Sequence, residues 1–279
     1  MNIFFKLYHI LNKKILNLKK LLLYSNLIVL YKIKYHTYLK KKRNWVAGRV
    51  ACLGQDVLIL LDSKANLINI QIGRIDYITE LNQNKKIKPN ILKVESMLQN
   101  KSIITFIEQQ IYIPWYSKNP PLFFLMDSYS ELTDQLFENK INNWKFCSNY
   151  NDLLHDNHFH NNYHSKGLLD TNQLIKYYKE FFLLLRKSYK NIPIIFLNFP
   201  VKLDTRERFK LRYIEIKNAI DIVSIDFKNF HSLEVDEQVI DWPEIKSIGI
   251  EDFPYHFNKA TYLNFALQIK NIISLNEHV

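Results

Sequence analysis

The sequence predicts an α/β protein: a three-layer α/β/α sandwich around a mainly parallel five-stranded sheet, with a basic helical extension at its N-terminus. Three observations lead there. Short runs that are apolar at every position, LFFLM at 122–126 and IPIIFLNF at 192–199, read as strands buried on both faces. Stretches with apolar residues at helical spacing separate such runs, and a strand–helix–strand alternation implies right-handed parallel crossovers. Charge is the third observation, because it divides the chain into two parts.

Residues 1–44 carry eleven Lys and Arg and no Asp or Glu, while the remaining 27 basic and 27 acidic residues cancel. The net charge of +11 therefore belongs to an arm, 1–44, attached to a neutral body, 45–279. Within the arm Phe4, Leu7, Leu11, Ile15, Leu18 and Leu22 recur at helical spacing between lysines, which predicts a basic amphipathic helix. Its longest uncharged run, 21–31, falls short of the ~20 residues that a bilayer-spanning helix needs. No small-residue cleavage site follows it. Two readings stay open: the helix lies on an anionic membrane surface, or it packs on the body or on another subunit. No aromatic platform accompanies the charge, so nucleic acid is not the expected partner.

The body divides as follows. RVACL at 49–53 ends in Gly54-Gln55-Asp56 and predicts a first strand leaving by a glycine turn. Residues 56–80 are apolar without a clear period and fit a helix or a hairpin. A short helix is expected over 91–98, and the β-rich IITFIEQQIYI at 103–113 predicts a strand. The strand at 122–126 follows, then a long insertion loop over 138–170. Asp170 or Thr171 caps a helix to about 190 with Leu174, Tyr178, Phe181, Phe182 and Leu185 on one side. A strand at 194–199 comes next, then a helix opened by the capping pattern Asp204-x-x-Glu207 and running to about 218. IDIVSIDF predicts the fifth strand, 221–226, and Asn258 caps a last helix carrying Tyr262, Leu263, Ala266, Ile269 and Ile272.

Composition excludes several chemistries. The five glycines never fall into GxGxxG or GxxxxGK[ST] spacing, which argues against dinucleotide and P-loop sites. Cys52 and Cys147 form no CxxC, so neither a disulfide framework nor a zinc knuckle is expected. His155, His158, His160 and His164 lie near Asp152 and Asp156, but without HExxH or a Cys partner they read as solvated imidazoles, and no metal is expected. No DxD triplet supports a nucleotide-sugar glycosyltransferase.

Two clusters carry the candidate chemistry. Asp127, Ser128, Ser130, Glu131, Thr133 and Asp134 crowd the end of the 122–126 strand, and ligands of open α/β sheets bind at the carboxyl ends of strands. Just before the last helix, Asp252 and His256 flank Pro254, an acid and an imidazole suited to general base work. A Ser, a His and an Asp so placed point to acyl transfer.

With PYHF at 254–257 before the last helix and MDSYSELTDQLF at 126–137 after a central strand, the chain resembles the SGNH or GDSL hydrolase superfamily, in particular its bacterial cell-surface polysaccharide branches. The resemblance covers about 45–275. It implies an esterase or O-acyltransferase acting on a capsule or other cell-envelope polysaccharide or its precursor, with Ser128 as nucleophile, His256 as base and Asp252 orienting it. Gly54, Gln55, Asp56, Asp127 and Glu131 would form the oxyanion and substrate-binding set. The family carries its nucleophilic serine after the first strand, where this chain has Gly54-Gln55-Asp56, and its last block spaces acid and His by three rather than four. No bound cofactor is expected. Acyl-coenzyme A is the expected co-substrate, and a glycan or glycolipid the acceptor. The expected location is cytoplasmic, peripheral at the inner membrane face. A non-catalytic glycan-binding or polysaccharide-assembly protein is the other reading.

Overall fold

A computed structural model describes residues 44–61, 66–84, 87–111, 119–244 and 254–276. Residues 1–43 of the basic arm and Asp252 lie outside the described residues. Asn44–Val279 forms one compact unit. In order it contains β1 (Trp45–Arg49), α1 (Cys52–Leu60), β2 (Asn66–Asn69), α2 (Ile75–Gln83), α3 (Ile91–Glu95), α4 (Ile104–Gln109), β3 (Phe124–Asp127), α5 (Tyr129–Thr133), β4 (Asp134–Asn139), β5 (Lys145–Asn149), α6 (Asn157–Asn162), β6 (Tyr163–Ser165), α7 (Leu174–Ser188), β7 (Ile194–Leu197), α8 (Glu207–Ser224), β8 (Phe230–Leu233) and α9 (Lys259–Asn276).

The main sheet is five-stranded and parallel, in the order β2-β1-β3-β7-β8. Every residue of β3 and β7 is buried, as their unbroken apolar runs require, whereas β2 and β8 at the edges are partly exposed. Helix α1 packs against α9, while α7 packs against both α2 and α8. The chain turns outward from β1 to β2 and then returns past β1 to β3, so the strand order reverses between β1 and β3. That is the switch point where ligand crevices open in such sheets.

Two of the five expected strands are helical. The described part of the expected strand at 103–113, residues 103–111, holds the end of a short 3-10 turn and α4, because Ile103, Ile104 and Ile107 are buried at helical spacing and the β-branched side chains only imitate a strand. Gln110, fully buried, fastens this helix by donating to the Cys147 carbonyl (2.8 Å) and accepting from the Cys147 amide (3.0 Å). Of the expected strand at 221–226, residues 221–224 are the last turn of α8 and 225–226 form the turn after it: Ile216, Ala219, Ile220 and Val223 face inward, while Ile222 and Ile225 are exposed. The fifth strand is β8, entered through Asn229 in a left-handed conformation (φ 56°) that Asn adopts more readily than other residues with side chains. Within 56–80 the chain forms the end of α1, then β2 and the start of α2.

The first strand lies four residues earlier than expected. It ends at Arg49, and Gly54 sits inside α1 rather than in a turn, where a Cβ would come within 2.5 Å of Val50. The insertion after Phe137 is no loop. β4, β5 and β6 form an antiparallel sheet, order β5-β4-β6, over a cluster of Phe137, Trp144, Phe146, Phe159 and Tyr163. Helix α7 buries Leu174, Tyr178, Phe181, Phe182 and Leu185 as its spacing predicts, and the Asn258 side chain caps α9 by accepting from Thr261 N (2.9 Å). The Asp204 carboxylate accepts from Arg206 N (2.8 Å), and the helix starts only at Glu207.

Candidate active site

The acidic cluster after β3 is largely interior. Ser128 is wholly buried, and its Oγ accepts the Phe199 amide at 3.1 Å, which ties the end of β3 to the end of β7. A serine with no exposed surface offers no approach to a carbonyl carbon, so the nucleophile role expected for it has no geometric support. The Asp127 carboxylate bridges the switch point: Oδ2 accepts from Ala51 N at 2.7 Å and Oδ1 from Tyr129 N at 3.1 Å. Burial pushes its pKa up to about 7, against the pull of those two amides and of Arg49.

Glu131 is wholly buried and holds four elements together. It is ion-paired with Arg49 of β1, accepts from Tyr178 Oη of α7 at 2.6 Å and from Ile75 N of α2 at 2.9 Å. Arg49 also donates to the Asp127 carbonyl at 3.1 Å. Asp127 and Glu131, expected to bind substrate, therefore position the carboxyl ends of β1 and β3 instead. Gly54 is buried in α1, and Gln55 donates to the Gln71 side chain (2.8 Å).

The residue that emerges at the switch point is Cys52. It is the first residue of α1, three positions after the last residue of β1, and it is half-buried, whereas Cys147 is fully buried. Asp56 is a turn further along α1, and Asp56 and Asp127 both act electrostatically on the thiol; burial, followed by these two carboxyl groups, raises its pKa above the ordinary value. Ala51 occupies the N-cap of α1 and contributes no side-chain cap. The N–H groups of the first turn of a helix have no partner within it, so α1 begins with donors directed at the edge where the thiol sits.

The start of α9 lies against α1, and the segment before it is tied to that start. Tyr262 Oη accepts from Phe257 N (2.9 Å), and burial, with smaller effects of the carboxylate Asp56 and of Cys52, carries its pKa up to about 12. Tyr255 packs edge-on against Tyr129 (5.1 Å between centroids) and against Phe199 (5.7 Å). His256, between these anchored residues, is exposed. The signal for Cys52 in the sequence was its place after the first strand, hidden by setting that strand's end four residues late.

The His-rich insertion is occupied with itself. His155 stacks on Tyr150 (3.7 Å between centroids), with its Nε2 2.7 Å from the Tyr150 carbonyl, and His158 Nδ1 lies 3.3 Å from the Asn162 amide. Among the described residues no three His, Cys, Asp or Glu side chains come together as a metal site, and no helix is long and apolar enough to cross a membrane. No protein-family model matches the chain, and no curated protein matches its sequence.

Proposed function

We propose that the chain is an SGNH-like acyl-transfer enzyme, an esterase or O-acyltransferase of a cell-surface polysaccharide or its precursor, with Cys52 in place of Ser128 as the attacking group. One observation carries the reading: a half-buried thiol begins the helix that leaves β1 at the switch point of a parallel sheet in the order β2-β1-β3-β7-β8. A three-layer sandwich is the finer fold that this reading implies.

In this scheme His256 takes the Cys52 proton as sulfur bonds to the acyl carbon, and the first-turn N–H groups of α1 receive the oxyanion. The tetrahedral adduct collapses to a thioester, and the leaving group departs with the proton from the imidazolium. An acceptor hydroxyl, deprotonated by the same imidazole, then bonds to the acyl carbon and displaces sulfur, which regains the proton from the imidazolium as the free thiol. Because its pKa is raised, Cys52 rests as the thiol and needs that base. Asp252 would orient His256. An acyl-coenzyme A is the proposed donor and a glycan the acceptor.

The test is mass spectrometry of the protein after exposure to acetyl-coenzyme A or an activated acetyl ester. An acetyl group on the peptide containing Cys52, absent in Cys52→Ala and formed at least tenfold more slowly in His256→Ala, is expected. Cys147 is fully buried, which keeps the thiol chemistry unambiguous. Acetylation confined to lysines, or equal in wild type and Cys52→Ala, would overturn the proposal. The raised thiol pKa favours one other reading, a glycan-binding or polysaccharide-assembly protein without catalysis. Glycan binding without a Cys52 adduct would establish it.

A further inference from the structure

A cavity of about 370 Å³ opens beside this site, between α5, the end of β5 and the start of α8. Arg206, Arg208 and Arg212 line it and no carboxylate does. Arg206 is already neutralised by Asp204 at 2.7 Å. Arg208 and Arg212 make no ion pair among the described residues. Arg212 is nevertheless fixed, with Nε donating to the Glu131 carbonyl (2.6 Å) and Nη2 to the Leu169 carbonyl (2.7 Å). Carbonyls orient a guanidinium without cancelling its charge, and burial, the largest effect, depresses its pKa while the carboxylates Glu131 and Glu215 act the other way without pairing with it.

The remaining lining is uncharged. It includes the amide side chains of Asn149 and Asn151, suited to the edge of a planar base, and the rings of Tyr150, one face of which His155 covers, and Phe209, one face of which the Arg206 guanidinium covers at 3.8 Å. The volume exceeds what a lone inorganic anion fills and falls within the range of small organic ligands. Tyr255 forms part of the wall and packs on Tyr129, whose environment includes Cys52. Arginine recognises phosphate through paired N–H groups in a plane.

We propose that this cavity binds the diphosphate of a nucleotide-linked substrate. The geometry of the cavity stands by itself; the assignment of that substrate as a reactant delivered toward Cys52 rests on the acyl-transfer reading. Two sources share the chemistry: the nucleotide end of a coenzyme A thioester donor and a nucleotide-activated sugar acceptor.

The experiment is calorimetric titration of the full chain with ADP. One saturable site is expected, competed by pyrophosphate but not by adenosine, with at least a tenfold loss of affinity in Arg208→Glu and partial recovery in Arg208→Lys. Arg208 is exposed, so circular dichroism of the variants is expected to match wild type. Absence of saturable ADP binding, or ADP binding unchanged in Arg208→Glu, overturns the proposal. Tighter binding of coenzyme A than of UDP-glucose assigns the site to the donor, and the reverse order assigns it to the acceptor. The titration does not involve the thiol, so failure of Cys52 acylation leaves its outcome separately readable.

Discussion

Glu131 shows what one buried carboxylate does when every oxygen is engaged. Removing it leaves Arg49 charged and interior, and Glu131→Ala is expected to cost about 3–5 kcal/mol in urea unfolding. Replacing both partners, as Arg49→Met with Glu131→Leu, should be far milder than Glu131→Ala alone, because no uncompensated charge remains. Asp134 behaves differently. It is wholly buried, it bonds to Thr133 Oγ1 (3.1 Å), its Oδ2 has no partner, and burial pushes its pKa up to about 7. Its folded form thus keeps a proton that the unfolded chain, with a pKa of about 3.9, has released. The folded state binds more protons between those values, so the stability that Asp134 contributes is complete below about pH 4 and is lost as pH rises to about 7. Asp127 adds the same sign. Asp134→Asn is expected to flatten the fall of unfolding free energy across that interval; an unchanged slope would refute the assignment. The acids at 127–134 were legible as a cluster, but the sequence does not say whether a carboxylate faces solvent or a buried arginine 82 residues away.

At the scale of elements, legibility followed periodicity. β3, β7, α7 and α9 have unambiguous patterns and lie where those patterns place them. α4 and the end of α8 do not, since runs of Ile and Val satisfy a strand alternation and a helix face equally over six to eight residues. β2 and β8 were missed because short, partly exposed edge strands carry little apolar signal. The antiparallel insertion was missed for another reason: its core is aromatic side chains spaced far apart in sequence, among Asn and His residues that suggest a loop. Hydrogen exchange tests it directly. Amides of β4 and β5 should exchange at least a hundredfold more slowly than those of a flexible loop. In α7, Phe182 is wholly buried against Tyr178, Phe227 and Phe230, and Phe182→Ala is expected to cost about 3–5 kcal/mol.

For the whole molecule, the segregation of charge in the sequence makes the arm's role testable by deletion. A chain lacking residues 1–44 is expected to keep its melting temperature within a few degrees and to lose binding to anionic vesicles; equal vesicle binding by both forms would refute the reading of 1–44 as a membrane-surface arm. Arg49, Ile75, Glu131 and Tyr178 also bear on synthesis. During translation Glu131 leaves the ribosome 82 residues after Arg49 and 47 before Tyr178, and β3 waits for β7 on its other side. A nascent chain stopped near residue 170 therefore holds a carboxylate and half a sheet that nothing yet completes. Productive folding of the body is a late event, and chaperone occupancy on arrested nascent chains should persist until the codons for α7 and β7 have been read.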